Sequence, residues 1–378
     1  MGLLSLRRGL RARVVELAFG GVAVITAACG SRTGLDVLLT GEGTGAPPPV
    51  PSSSGAPMSA CTPPAAGAIV TLATSPNRWG ALAVDSTAVY AINGAGGGNV
   101  VKVPLCGGTP ITVARANAMA LAIDAANVYW TDSPTGSGFT VYAASKTGGT
   151  PRALATLPYA PPNPGTPGAS GIAVDSSAAY VLGLGNTPGP CSGGIMNCAP
   201  GYVIRVPLDG AASTTLATRE AGPSAIAVDA TSVYWVDEGP DVYYPGDSQS
   251  QGAVVSAPLA GGSVTTLATR QTDPRGLFVQ GSTLYWVDDD GMILAMPTSG
   301  GSPKAVTRSD QLLQGMAVDA EGLYLDEAGS IETIQPAGGM PTTIATANAN
   351  YSGIGAGIAL DATSVYWGNG NDLLRAPK

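Results

Sequence analysis

From residue 68 onward the chain repeats a short unit seven times, and nothing else limits its fold as strongly. The unit is a small residue, an apolar residue, a residue that is mostly alanine, a second apolar residue and an aspartate. A tyrosine follows five places after the aspartate. It reads Ala81-Leu82-Ala83-Val84-Asp85 with Tyr90, then Ala120-Leu121-Ala122-Ile123-Asp124 with Tyr129. Gly171 to Asp175 with Tyr180 and Ala225 to Asp229 with Tyr234 come next. Gly276-Leu277-Phe278-Val279-Gln280 with Tyr285 has glutamine in place of the acid. Gly315 to Asp319 with Tyr324 and Gly357 to Asp361 with Tyr366 complete the set. Successive units stand 39, 51, 54, 51, 39 and 42 residues apart.

Each period holds four strand-length segments. In the fourth, Ala225–Val228 and Ser232–Val236 are separated by a turn, and Gly252–Leu259 leads through Gly261-Gly262 into Val264–Thr269. None shows helical 3.6 spacing. Four strands in a period near 40–50 residues define a β-propeller. The seventh unit runs to Lys378 after its third strand, while Ile69-Val70-Thr71-Leu72-Ala73-Thr74 resembles a fourth strand placed ahead of the first unit. The expectation is an all-β fold: a seven-bladed β-propeller with four-stranded blades, its closing blade completed by the N-terminal strand. Six or eight blades stay open as alternatives. The marker aspartates, at the turn between first and second strands, are expected to cap that turn with their side chains.

Composition agrees. Charged residues make up 12% of the chain, about half the globular norm of roughly 25%. Long solvated helices need more charge than that, whereas short strands and tight turns do not. The chain has 53 glycines, 31 prolines and no histidine. Without histidine there is no imidazole base for a Ser-His-Asp or Cys-His arrangement and no histidine metal ligand. No phosphate-binding loop and no Gly-x-Ser-x-Gly elbow occurs.

The N-terminal part reads differently. Arg7, Arg8, Arg11 and Arg13 precede a run of twelve apolar or small residues, Leu17 to Ala28. That is shorter than the about 20 residues a membrane-spanning helix needs, so residues 1–28 are expected to be a signal peptide. Its exit, Ile25-Thr26-Ala27-Ala28-Cys29, resembles the lipobox of bacterial lipoproteins, with Thr26 where leucine is usual. The resemblance implies lipidation of Cys29 and a cell-envelope protein anchored to a bacterial membrane through lipid alone. Residues 29–67 include Ala46-Pro47-Pro48-Pro49-Val50-Pro51-Ser52-Ser53-Ser54-Gly55 and are expected to form a disordered tether. The propeller is expected over 68–378.

The net charge of −8 conceals an imbalance. Residues 1–28 hold four arginines and one acid, so the remainder has 14 basic and 25 acidic side chains, a net of −11. An acidic body without a basic stripe excludes a nucleic-acid partner in this reading. A monomer is expected.

The second strands read Tyr129-Trp130-Thr131-Asp132, Tyr234-Trp235-Val236-Asp237 and Tyr285-Trp286-Val287-Asp288. This is similar to the YWTD propellers of receptor ectodomains and, more loosely, to bacterial NHL-type and lactonase-type propellers. The resemblance covers 68–378 as a pattern and is literal once. It implies the fold and an extracellular binding habit. The lactonase-type likeness implies an alternative, a calcium-dependent hydrolase with its metal at the channel mouth. Cofactors are thus none, or calcium. The ligating residues are unknown.

With Cys29 lipidated, four cysteines are left to pair, and the about three connectivities open to four cysteines all stay possible. Cys191 and Cys198 lie close in sequence and are expected to close a loop, leaving Cys61 for Cys106. Binding is expected on the face carrying the connections from second to third strands and from each unit to the next, because their lengths vary. Residues 183–201, 237–251 and 157–170 are the long ones. The residues placed there are Trp79, Tyr159, Asp237, Glu238, Arg275, Asp288, Asp289, Asp326 and Glu327. The leading functional reading is a non-catalytic scaffold for a protein, glycan or small ligand at that face, with no catalytic residue assigned.

Overall fold

The computed structural model describes residues 64–65, 67–94, 97–132, 138–158, 169–183, 201–239, 252–309, 313–327, 330–347 and 357–378. The signal peptide, Cys29 and nearly all of the tether lie outside them.

Each marker folds around its aspartate. Where the acid is present, one carboxyl oxygen accepts the backbone N–H groups two and three residues later, at 2.6–3.0 Å. The chain thereby reverses and pairs first strand with second, as the sequence led one to expect. At Gln280 no short carboxylate is available. Gly281 takes φ +58 instead and closes a two-residue turn between Gln280 and Thr283.

In chain order, β1 (Val70–Thr74) stands first. It is followed by β2 (Trp79–Val84), β3 (Ala88–Asn93), β4 (Gly98–Pro104) and β5 (Ile111–Ile123). Then come β6 (Asn127–Asp132), β7 (Gly138–Ser145) and β8 (Arg152–Pro158). The next group is β9 (Ala169–Val174), β10 (Ala178–Gly183), β11 (Gly201–Pro207) and β12 (Thr214–Glu220). After it run β13 (Pro223–Val228), β14 (Ser232–Asp237), β15 (Gly252–Pro258) and β16 (Thr265–Gln271). The series continues with β17 (Arg275–Gln280), β18 (Thr283–Val287), β19 (Met292–Pro297) and β20 (Lys304–Arg308). It ends with β21 (Leu313–Val318), β22 (Leu323–Glu327), β23 (Ser330–Ile334), β24 (Thr342–Thr346), β25 (Ile358–Leu360), β26 (Ser364–Asn369) and β27 (Asp372–Pro377).

All pairings are antiparallel. Four sheets follow the chain: β9 to β12, β13 to β16, β17 to β20 and β21 to β24. A fifth has the order β1-β27-β26-β25, so the N-terminal strand completes the sheet begun by the C-terminal three. The sixth is seven-stranded, β2 to β8. In it β5 pairs with β4 through Ile111–Ala118 and with β6 through Ala118–Ile123, acting as outer strand of one unit and inner strand of the next. Sequence reading expected two strands there. No Gly or Pro interrupts residues 111–123, whereas Pro223 and Pro274 mark comparable junctions elsewhere.

The inner strands touch in a cycle: β2, β5, β9, β13, β17, β21, β25 and β2 again. This is the all-β propeller arrangement. Alternation along each strand places apolar residues between neighbouring sheets, and one core cluster joins Leu182, Val203 and Leu216 to Ile226, Trp235 and Val255. All five tryptophans are buried, none more than 2% exposed. The small first residue of the marker has a steric cause at Gly357. A Cβ there would come within 2.7 Å of the Leu82 backbone nitrogen, and the Gly357 N–H already donates to Gly80 O at 3.0 Å.

Candidate functional site

The two faces differ in how tightly the chain turns. The face carrying the marker turns is closed by capped aspartates. The opposite face carries the connections from second to third strands and from outer strand to the next inner strand. Among the described residues, all three non-glycine residues at positive φ lie on this second face: Arg219 at +66°, Arg270 at +59° and Asp273 at +45°. Such backbone is strained for an L-residue and persists only where its surroundings impose it.

Arg219 and Arg270 are bulge residues. Gly201 pairs with Glu220 and Tyr202 with Thr218, leaving Arg219 unopposed; Gly252 and Ala253 skip Arg270 in the same way. A bulge redirects the side chain beside it. Here it turns Glu220 toward Trp235 and Gln271 toward Trp286. Each accepts the indole N–H of the neighbouring sheet, at 2.9 and 3.2 Å respectively.

Asp237 follows Trp235 by two residues and shares its face of β14. It is 7% exposed, and its carboxyl meets that of Glu220 within hydrogen-bonding reach. Burial first, then the negative charge of Glu220, pushes Asp237 up to about 8. Glu220 was missed by sequence reading. The available signal was a repeated phrase, Leu216-Ala217-Thr218-Arg219-Glu220 and Leu267-Ala268-Thr269-Arg270-Gln271, whose last residue precedes a tryptophan by fifteen positions in both copies.

A second charged group lies beside this one. Arg275 Nη2 donates to Asp273 at 2.6 Å, and its Nε sits 3.7 Å from Glu238. Burial works against the Arg275 charge, but Asp273 and Glu238 outweigh it and hold the guanidinium above its ordinary value. Glu238 N donates to Gly222 O at 3.1 Å, fastening this segment to the entry of β13.

The other expected site residues spread around the ring. Trp79 is buried, and its indole donates 2.8 Å to Asn371 O in the closing sheet, so it serves packing more than it presents surface. Asp288 accepts the Met292 N–H at 2.8 Å, and burial raises its carboxyl. Asp289 is exposed and its N–H donates to Thr272 O. Asp326 and Glu327 end β22 and are buried, 2% and 8% exposed. Tyr159, Cys61, Cys191 and Cys198 lie outside the described residues. Cys106 is disulfide-bonded. Among the described residues, no group of three or more His, Cys, Asp or Glu side chains is placed to hold a metal ion. No described helix is long and apolar enough to cross a membrane.

No family model matches the sequence, and no curated protein does. Solved structures do. The WD40 β-propeller domain of Doa1 is 10% identical, with 82% of this chain and 95% of that one covered and a TM-score of 0.56. YCF48 bound to D1 peptide is 12% identical, with coverage of 82% and 95% and a TM-score of 0.53. The computationally designed protein Ika8 is 12% identical, with coverage of 82% and 98% and a TM-score of 0.52. At such identities what is shared is the β-propeller scaffold.

Proposed function

We propose that this chain is an exported β-propeller of seven blades, lipid-anchored at Cys29, and a non-catalytic binding scaffold. Its ligand, a protein, glycan or small molecule, docks on the face opposite the marker turns. The observation that carries this reading is the gathering of strained backbone on that face, at Arg219, Arg270 and Asp273. Strain gathers where a structure holds groups ready for recognition. The same face carries the connections of greatest length, 184–200 and 238–251. A propeller of this scaffold, YCF48, is known bound to a D1 peptide. Seven blades follow if β5 serves two of them, and the cyclic contact of seven inner strands supports that count.

Two measurements test the proposal. The domain is screened on peptide and glycan arrays, as wild type and with residues 184–200 and 240–251 each replaced by a short Gly-Ser turn. Ligands of the wild type should be lost from at least one shortened variant. If both variants retain every ligand, the face is wrongly assigned. Separately, Cys29→Ser should move the protein from the membrane fraction to the soluble one. Retention in the membrane would refute the anchor.

A further inference from the structure

A buried carboxyl group and a half-buried one meet between the third and fourth repeat units without a cation. Glu220 ends β12, the outer strand of one sheet, and Asp237 ends β14, the second strand of the next. The Trp235 indole N–H reaches Glu220 Oε2 at 2.9 Å. Asp237 Oδ1 is buried with no hydrogen-bond partner, while the carboxyl group meets both Glu220 and the backbone N–H of Ala221.

The neighbouring charges do not neutralise the pair. On β12, Arg219 is exposed. Among the described residues no Lys or Arg forms an ion pair with either acid. Strands β13 and β15, which flank β14, hold no titratable side chain. From β17, Arg275 is directed to Asp273 and Glu238. On β11, Arg205 reaches Ser177 at the opposite face. Two carboxylate oxygens are both acceptors and repel at contact. They can bond only if one of them carries a proton.

We propose that Glu220 and Asp237 form a proton-operated latch between adjacent sheets. In the closed state the Asp237 hydroxyl donates to Glu220, whose other side accepts from Trp235, so one proton clamps β12 to β14. When base removes that proton to water, two anions face each other and the clamp opens. The bulge at Arg219 carries Glu220 to the junction. The backbone bonds Glu238 N to Gly222 O and Gly239 N to Ala221 O cross the same junction and should loosen with it. The device therefore stiffens the loop-bearing face in acidic and neutral surroundings and frees it in alkaline ones.

The test is a pH titration of the folded domain by NMR, following the Trp235 indole N–H and the Asp237 side-chain carbon. Both signals should move together with a midpoint near 8. Protection of the Glu238 and Gly239 amides from exchange, corrected for intrinsic rate, should fall by up to about tenfold for each pH unit as pH rises toward that midpoint and level off above it. Glu220→Gln and Asp237→Asn should each abolish the indole titration. An Asp237 carbon that titrates in the ordinary carboxylate range overturns the latch in wild-type protein alone, whether or not the variants fold. So does an indole midpoint that persists in a folded variant.

Discussion

At the scale of single residues, the marker aspartate is held from two sides. One oxygen caps the turn, and the other accepts the tyrosine five places on: Tyr129 to Asp124 at 2.5 Å, Tyr180 to Asp175 at 2.9 Å, Tyr234 to Asp229 at 2.9 Å and Tyr366 to Asp361 at 2.6 Å. Two units use a lysine from the neighbouring unit instead. Lys146 pairs with Asp85 at 2.8 Å while lying over the Tyr90 ring, and Lys378 pairs with Asp319 while lying over Tyr324. Tyr129→Phe removes one half-buried bond to a carboxylate, and a loss of about 1–2 kcal/mol is expected in chemical denaturation. Burial disfavours the Asp85 charge, yet Lys146 and Thr87 hold it down to about 2. A depressed acid stabilises the fold above its ordinary 3.8 and loses that contribution as pH falls toward 2. Asp237 has the opposite sign. Its contribution is full below 3.8 and drains away as pH rises toward 8. Lys146→Met should therefore weaken the protein at pH 6 and flatten its melting temperature between pH 4 and 2. Asp237→Asn should raise the melting temperature at pH 8 relative to wild type.

At the scale of elements, the fold was legible wherever a local rule acts alone. Asp-x-x in a turn, period-two alternation and the orphan closing strand each specify one geometry, and β1 pairs with β27 as expected. Legibility stopped where packing between sheets decides. Nothing within residues 111–123 says whether the chain breaks between units, and the absence of Gly and Pro lets β5 run through. The site was read as a set of loop acids. Asp326 and Glu327 instead are buried, and Glu220 enters through a bulge whose register depends on the partner strand. Inner-strand contact is likewise tertiary. Gly357 is permitted no side chain by the Leu82 backbone at 2.7 Å. Gly357→Ala should cost about 1–3 kcal/mol through overpacking. Gly281→Ala meets nothing within 4 Å, so its cost should come from φ +58 alone, about 1 kcal/mol. A Gly357→Ala effect no larger than the Gly281→Ala effect would show that the inner strands are not in close contact.

At the scale of the molecule, the ring holds together only if its ends meet. The closing sheet takes its outer strand from the N-terminal side, and a polar group gathers where the two ends join. Thr74 Oγ1 donates to Asp372 at 2.6 Å, Ser75 N to Asn371 O at 2.9 Å, and the Trp79 indole to the same carbonyl at 2.8 Å. Ser75 and Asn77 both bond Asn93, tying this corner to the second strand of the first unit. Gly107 and Gly108 lie against Leu72, so β1 is also gripped from the first sheet. Removing residues 64–74 should thus do more than delete one strand's bonds. It bares the edge of β27, whose N–H and C=O groups then seek another chain, and it uncovers Leu72's place in a core cluster that includes Leu373 and Tyr366. The expected result is a concentration-dependent dimer or larger species in sedimentation, with a broadened melting transition. Adding a synthetic peptide spanning residues 68–76 should restore the monomer and sharpen the transition. If the truncated domain stays monomeric and melts as sharply as the intact one, closure by β1 is dispensable and the inner-strand contacts alone hold the ring.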